Sequence, residues 1–248
     1  IGTNMNMIIL GFMVATGFLS MWISNTATAM MMVPIGLAII YQVADALKDE
    51  PGVDTSEGNF TFGKSLMLAI AYSASVGGIA TIIGTPPNTI LKGTIETMYG
   101  IDLSYAGWMA FGVPLAWVFI FIIWFYLTRI QFPQKVKELP GGREIVTRER
   151  EKIGKAPPEE KIVFVVFVLA ALAWITRSFL IVKVLPGVSD GVIAIFFAIV
   201  LFIIPSIRFK DDRLLDWNTA VKLPWGILLL FGGGLAIAAG CVDSGLSE

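Results

Sequence analysis

The 248-residue sequence contains no histidine and a single cysteine, Cys241. Without histidine, the chain lacks the most common metal ligand and the usual general base near neutral pH. A single cysteine excludes a disulfide within the chain. Charged residues make up only 15% of the sequence, whereas a soluble domain carries about a quarter. The net charge of −1 says nothing about nucleic acid, but no basic patch alternates with aromatic residues, so we expect no nucleic-acid partner.

Apolar residues, by contrast, form 56% of the sequence and occur in long runs. No charged residue occurs between Ile1 and Ala44. The runs at residues 108–128, 162–182, 191–207 and 224–242 are each long enough to cross a hydrocarbon core of about 30 Å as a helix. The sequence therefore predicts an all-α polytopic protein that is integral to the plasma membrane and crosses it several times.

The charges of the loops predict the orientation of these spans. Residues 129–161 carry nine Lys or Arg and residues 208–222 carry four, whereas residues 92–107 and 183–190 carry one each. Because positive loops stay inside, the first two segments are expected to be cytoplasmic. Residues 129–161 then form a cytoplasmic linker between residues 1–128 and 162–248. Arg177 lies near the outer end of its run, where we expect its side chain to snorkel toward water.

The first apolar run is interrupted by small and polar residues from Ser24 to Ala29. Its arms, residues 7–23 and 29–43, would be about 22–25 Å long as helices, which is short for two full spans. The pattern favours a re-entrant helical hairpin over residues 7–43, with two tilted spans as the alternative. Asn25, Thr26 or Thr28 is expected to cap the second arm, and the amides of that helix N-terminus would suit an anion.

A second polar interruption falls within residues 65–91, at Gly77-Gly78 and at the sequence GTPPN, residues 84–88. We expect the two prolines to stop a helix here. A broken helix in a membrane exposes carbonyl oxygens, which suit a hard monovalent cation such as Na⁺. Ser20 and Ser24 share one face of a helix and could add hydroxyl oxygens. The two interruptions together predict a site that binds an anion together with sodium.

Three stretches resemble the divalent anion:sodium symporter family: SMWISNTATAMMMVPI, AYSASVGGIATIIGTPPNTIL and LPWGILLLFGGGLAIAAGCVDSGL. Members of this family carry dicarboxylates, citrate or sulfate. The resemblance implies two inverted repeats, each with a re-entrant hairpin tipped by Ser-Asn-Thr beside a broken helix. It also implies homodimers and an elevator-type motion.

A complete family member has helices before the first hairpin and a second hairpin after the last apolar run. By the resemblance, residues 1–128 form the C-terminal part of the first repeat, with its hairpin, a broken helix at 65–91 and a helix at 108–128. Residues 162–248 form the N-terminal part of the second repeat. We therefore expect the chain to be part of a longer protein and to hold half of its substrate site.

The resemblance also assigns roles to individual residues. Those expected to contact the substrate are Asn25, Thr26 and Pro87. Those expected to hold sodium, through side-chain oxygens or backbone carbonyls, are Ser20, Ser24, Asn25, Ser75, Gly77, Thr85 and Asn88. Sodium would be the coupling ion, and no other metal or cofactor is expected.

The predicted function is sodium-coupled transport of a C4-dicarboxylate such as succinate. A sulfate or citrate carrier, an anion exchanger and an ion channel are the alternatives. A membrane enzyme is disfavoured, because the apolar runs contain no histidine and no acidic pair, and Ser24 has no evident base beside it. The expected partners are a small anion, sodium, the lipid bilayer and a second copy of the chain.

Overall fold

The computed structural model describes residues 4–48, 50–134, 136, 138, 156–208, 213–222 and 225–244. Within these residues the regular structure is helical, and isolated bridges join Asn4 to Glu138 and Pro205 to Arg213. The helices are α1 (Met5–Ser20), α2 (Asn25–Ala46), α3 (Thr61–Gly77), α4 (Pro86–Tyr99), α5 (Tyr105–Phe125), α6 (Pro158–Thr176), α7 (Asp190–Ile203), α8 (Trp217–Ala220) and α9 (Trp225–Asp243). A π-helical turn extends α5 over Tyr126–Gln131, and another follows α6 over Arg177–Ile181.

Among the described residues, four helical segments are long and apolar enough to cross a membrane. They are Asn25–Ala46, Thr61–Ala80, Tyr105–Gln131 and Pro158–Val184. These segments confirm that the protein is an all-α polytopic membrane protein. Most of the predicted linker, residues 139–155, lies outside the described residues.

The chain divides into two compact units. The first comprises Ile1–Ala156 and Ala171–Val188, and the second comprises Pro157–Ala170 and Ser189–Glu248. In the second unit, the Glu159 carboxylate accepts a hydrogen bond of 2.7 Å from the backbone N–H of Arg208. Both polar interruptions of the sequence lie in the first unit.

In the first unit, both arms of the hairpin pack along α3. Ser20 at the end of α1 contacts Ala74 near the end of α3, so α1 and α3 run in the same direction. A Cβ atom at Gly36 of α2 would lie 2.8 Å from Ile70 Cδ1, and one at Gly63 would lie 3.2 Å from Ile40 Cγ2. Helix α2 therefore runs antiparallel to α3, and α1 and α2 form a helical hairpin.

Helix α5 runs back along α1 and α3. Its Trp108 indole donates to the carbonyl of Ile79 at 3.0 Å, and its Trp124 indole donates to the carbonyl of Asn6 at 2.8 Å. Helices α1, α2, α3 and α5 thus form a bundle. The tip of the hairpin (residues 21–24) and the end of α3 lie at one end of this bundle, and the start of α1 lies at the other. The fully buried core between the helices includes Ile9, Met13, Phe62, Leu66, Ile70 and Ile120.

The second arm of the hairpin starts earlier than predicted. Ser24 is the N-cap of α2, and its hydroxyl accepts a hydrogen bond of 3.3 Å from the N–H of Ala27. The expectation that Asn25, Thr26 or Thr28 caps this arm is therefore wrong, because the preceding serine already satisfies the first turn. Helix α2 has 22 residues and is about 33 Å long, so it is long enough to span a bilayer.

The prolines begin a helix, contrary to the expectation that they stop one. Helix α3 ends at Gly77 and is followed by a 3₁₀ turn at Gly78–Ala80. Pro86 and Pro87 occupy the first positions of α4, where a missing N–H costs no hydrogen bond. Thr85 before them is extended, the conformation that a following proline requires.

Candidate functional site

Four helix ends meet around Gly78. The C-termini of α1 and α3 approach each other through the contact of Ser20 with Ala74. The N-terminus of α2 lies against them, because a Cβ atom at Gly78 would overlap the Asn25 side chain. The N-terminus of α4 joins them through Asn88, whose amide nitrogen donates to the carbonyl of Gly78 at 3.0 Å. Helix C-termini carry partial negative charge and N-termini carry partial positive charge, so the junction presents both signs.

Three oxygen atoms converge where α1, α2 and α3 meet. The Ser20 hydroxyl is fully buried and lies 2.6 Å from Ala74 O and 2.8 Å from Asn25 Oδ1. The hydroxyl has one proton and can donate it to only one of these acceptors. The other acceptor oxygen, Ala74 O or Asn25 Oδ1, then faces the Ser20 oxygen with no hydrogen between them. This contact lies in the negative field of two helix C-termini. A monovalent cation would satisfy this arrangement, which we call the oxygen cluster (Ser20, Asn25 and Ala74).

Side chains donate hydrogen bonds to the backbone carbonyls that are exposed by the helix break (residues 78–85, between α3 and α4). The Asn88 amide donates to both Gly78 O and Thr81 O, at 3.0 and 2.8 Å. The Trp108 indole donates to Ile79 O, as described above. The Thr89 hydroxyl donates to Ile82 O at 2.9 Å. Since buried carbonyls in a membrane need partners, these donors hold the break in one conformation.

Thr81 links this break to the tip of the hairpin. Its hydroxyl donates to the carbonyl of Met21 in the tip and accepts a 3.0 Å hydrogen bond from the N–H of Gly84. A Cβ atom at Gly84 would lie 2.5 Å from Gly78 O, so this position needs glycine for the close approach of the backbone. The two polar interruptions of the sequence therefore form one connected structure.

The residues predicted for the substrate lie on the accessible side of the junction. Thr26 and Pro87 are exposed at the N-termini of α2 and α4, and Asn25 is half-buried between them and the oxygen cluster. Pro86 and Pro87 have no N–H, so α4 contributes its dipole here, whereas α2 also contributes backbone amides. The anion-favouring helix ends thus face outward, and the cation-favouring ends are buried.

The predicted sodium residues divide into two groups. Ser20, Asn25, Gly77 and Asn88 all lie at the junction, although Asn88 presents its amide nitrogen to carbonyls rather than an oxygen to the cluster. Ser24 is exposed and caps α2, and Thr85 is half-buried before α4.

The Ser75 side chain is not part of the junction. It is exposed, and its hydroxyl donates at 3.2 Å to the carbonyl of Ala71 within its own helix. The prediction of a role for Ser75 can therefore concern only its backbone. Two residues that the sequence did not single out, Thr81 and Trp108, hold the break in place.

Arg177 does not snorkel but forms an ion pair in the first unit. Its guanidinium donates to both oxygens of Asp102, at 3.0 and 3.3 Å, and Lys92 lies 3.4 Å from the same carboxylate. The Arg177 side chain is only 9% exposed. Partial burial would raise the pKa of Asp102, but the hydrogen bonds and charge of Arg177, with the charge of Lys92, hold that pKa below its ordinary value.

Comparison with known proteins finds a match over the whole chain. A family model described as the sodium:sulfate symporter transmembrane region matches residues 1–248. The sodium-dependent dicarboxylate transporter SdcS of Staphylococcus aureus strain USA300 is 49% identical over 251 aligned residues, covering 100% of this chain and 48% of that protein. SdcS of Staphylococcus saprophyticus is 47% identical with the same coverage. The chain thus spans about half the length of the curated relatives it matches.

Proposed function

Because the chain belongs to the sodium:sulfate symporter family, we propose that the junction around Gly78 is one half of a site that binds sodium and a dicarboxylate together. The whole protein would then couple the entry of Na⁺ to the uptake of a C4-dicarboxylate such as succinate. Its place as an integral, multi-pass protein of the plasma membrane follows from the family and the four apolar helices.

The proposal rests on the meeting of four helix ends of both polarities at one junction, where the C-termini of α1 and α3 are buried and the N-termini of α2 and α4 are accessible. The C-termini of α1 and α3 and the oxygen cluster favour a cation. Ser20 and Asn25 would bind sodium through neutral oxygens, with backbone carbonyls near Gly77 completing its shell. Within the described residues, no group of three or more His, Cys, Asp or Glu could hold a metal ion, so neutral oxygens are the donors available.

The N-terminus of α2 would bind the anion in the proposed site. Thr26 is exposed at the first turn of this helix, where backbone amides and the dipole attract a carboxylate. Asn25 lies between the two ions and would contact both. Such a shared side chain makes the binding of the cation and of the anion mutually favourable, because each ion offsets the charge of the other.

The choice of a dicarboxylate rests on the names of the relatives, which are sodium-dependent dicarboxylate transporters. Sulfate or citrate as substrate, or anion exchange, would use the same junction. The homodimer, the inverted repeats and the elevator-type motion stay predictions from the family resemblance. Transport breaks no covalent bond, so we assign no catalytic residue.

The proposal is tested with the full-length protein that contains this chain, reconstituted into proteoliposomes. We expect uptake of labelled succinate that saturates with concentration and requires an inward Na⁺ gradient. Excess unlabelled succinate should compete, and sulfate and citrate should compete less. Uptake that is equal with K⁺ in place of Na⁺ would overturn the coupling, and discrete single-channel currents would favour a channel instead.

A further inference from the structure

A groove opens at the end of the bundle opposite the junction, between α2, α3 and the loop that joins them. Its volume is about 370 Å³, which lies in the range of ligand sites. Leu37 and Tyr41 of α2, Met67 of α3 and Phe60 of the loop form apolar walls. Tyr41 is 64% exposed. An open apolar surface of this kind indicates that another molecule covers it.

The groove extends from the water level into the hydrocarbon level of the membrane. The first 44 residues carry no charge, whereas charged residues are frequent from residue 45 to residue 64. Tyr41 lies at this transition, and tyrosine is typical of the membrane interface. The inner part of the groove is therefore expected to lie among acyl chains, and its rim among lipid head groups.

Two opposite charges at the rim of the groove are not paired with each other. Glu57 of the loop and Lys64 in the first turn of α3 both line the groove. Among the described residues, neither side chain forms an ion pair or a hydrogen bond. The nearby Asp54 is already bonded to Ser56, and these hydrogen bonds, more than the charge of Lys64, lower its pKa. Glu57 and Lys64 are therefore available to a ligand that carries both signs of charge.

The N-terminus of α3 adds a further attraction for an anion beside Lys64. No side chain caps this helix, and the amides of a first helical turn have no partner within the helix. The helix dipole also disfavours a lysine in the first turn. A phosphate bound here would satisfy the amides and offset the charge of Lys64, and lipid head groups provide phosphate at this level.

We propose that the groove binds a zwitterionic phospholipid, phosphatidylethanolamine, with one acyl chain between α2 and α3. The phosphate binds Lys64 and the N-terminus of α3, and the ammonium group binds Glu57. A phospholipid fits this groove because it joins an apolar chain, directed inward, to both charges at the rim. The site lies about 25 Å along the 17-residue α3 from the junction, and the inference does not depend on the proposed function.

Native mass spectrometry of the full-length protein, purified in detergent, tests this site. Palmitoyl-oleoyl phosphatidylethanolamine or phosphatidylglycerol is titrated, and an apparent Kd is obtained from the fraction of protein with one lipid bound. We expect saturable binding of one phosphatidylethanolamine, tighter than that of phosphatidylglycerol. The two lipids share the phosphate and the chains, but phosphatidylglycerol has no ammonium group for Glu57.

Two charge substitutions separate the contacts with the head group. Lys64→Gln should weaken the binding of both lipids by about threefold to tenfold, whereas Glu57→Gln should weaken only phosphatidylethanolamine, to a similar degree. Lys48→Gln and Glu50→Gln are the matched controls. Both side chains are exposed in the same loop but do not line the groove, so these variants should keep the wild-type affinities.

The acyl chain is tested with Ala44→Phe, since Ala44 lines the groove and a phenyl ring there would fill it. This variant should lose the bound lipid although Glu57 and Lys64 are intact. Unchanged affinity in Ala44→Phe that elutes as a single species from size-exclusion chromatography would overturn the placement of the chain. The charge substitutions decide the matter even when Ala44→Phe does not fold.

Equal affinity of the wild type for the two lipids would overturn the assignment of the head group. Equal phosphatidylethanolamine affinity of Lys64→Gln and Lys48→Gln would overturn the phosphate contact. A wild type that binds no lipid saturably would indicate that another part of the full-length protein covers the groove, which also overturns the proposal. None of these results bears on sodium-coupled uptake, so the two proposals fail separately.

Discussion

The substitution Gly78→Ala tests the geometry of the junction with a single methyl group. A Cβ atom at this position would lie 3.0 Å from both Cγ and Nδ2 of Asn25, and nearer still to Oδ1. Because ordinary contacts begin near 3.4 Å, the Asn25 amide must move away from Gly78, which disturbs its 2.8 Å contact with the Ser20 hydroxyl. The atoms in conflict belong to a side chain, so the helices themselves need not separate.

The expected loss follows from the contact that is broken. An interaction of an uncharged oxygen with a charged group contributes about 1.5–3 kcal/mol, which corresponds to a change of roughly 10–100-fold in affinity. We therefore expect Gly78→Ala to raise the half-saturating Na⁺ concentration for succinate uptake by about that factor. The thermal unfolding temperature in detergent should change little.

The control is Gly93→Ala in α4, where an added Cβ atom has no other atom within 4 Å. Both variants are assayed as full-length protein in proteoliposomes over a series of Na⁺ concentrations. Equal Na⁺ dependence of Gly78→Ala and Gly93→Ala would refute the placement of Asn25 at the sodium site.

Three further predictions address the surrounding structure. Gly77→Ala would force a Cβ atom into the backbone of α1, so we expect it to destabilise the fold by about 1–3 kcal/mol, seen as a lower thermal unfolding temperature; an unchanged temperature would contradict the close packing of α1 on α3. Thr81→Val removes the link between the hairpin tip and the helix break. It should lower uptake about thirtyfold, two hydrogen bonds being worth about 1 kcal/mol each, with recovery in Thr81→Ser; equal uptake by Thr81→Val and wild type would count against this link. Because the pKa of Asp102 is lowered from 3.8, its ion pair with Arg177 stabilises the protein fully above that pH and is lost as the pH falls through the lowered value. Acidification should therefore lower the unfolding temperature of the wild type more than that of Asp102→Asn, and parallel temperature changes would argue against the pair.

Local polarity in the sequence predicts both a helical hairpin and an interrupted helix, whereas the re-entrant course of the hairpin stays a prediction. Polar interruptions within an uncharged apolar run must be buried in protein or line a cavity. This holds whether the polar residues end one helix or begin the next. The predicted start of α2, residue 29, is four residues later than the observed start at Asn25. The sequence leaves the start open because serine, asparagine and threonine are all good N-caps. Only the packed structure selects Ser24 among them.

The role of the prolines shows a second limit of local reasoning. A proline is compatible with both the end of one helix and the first turn of the next. The sequence GTPPN alone predicts the end of a helix, whereas α3 ends earlier, at Gly77, and Pro86 begins α4. The glycine pair, not the proline pair, marks the end of the helix.

Contacts between distant residues could not be predicted. Arg177 and Asp102 are 75 residues apart, and Thr81 and Met21 are 60 residues apart. The Thr81 hydroxyl donates to a backbone carbonyl, and every residue type has such a carbonyl. The residue type at position 21 therefore gives no sign of this hydrogen bond. The burial of Arg177 likewise depends on a partner that only the fold brings close.

The central claim is that the buried oxygen cluster binds sodium and thereby creates affinity for the dicarboxylate. The most direct measurement is isothermal titration of the detergent-purified full-length protein with succinate, at increasing Na⁺, for the wild type and Ser20→Ala. We expect the wild type to bind succinate only with Na⁺. We expect Ser20→Ala to need at least tenfold more Na⁺, because it loses an oxygen ligand worth about 1.5 kcal/mol or more. Succinate binding by the wild type without Na⁺, or an identical Na⁺ requirement in Ser20→Ala, would contradict it.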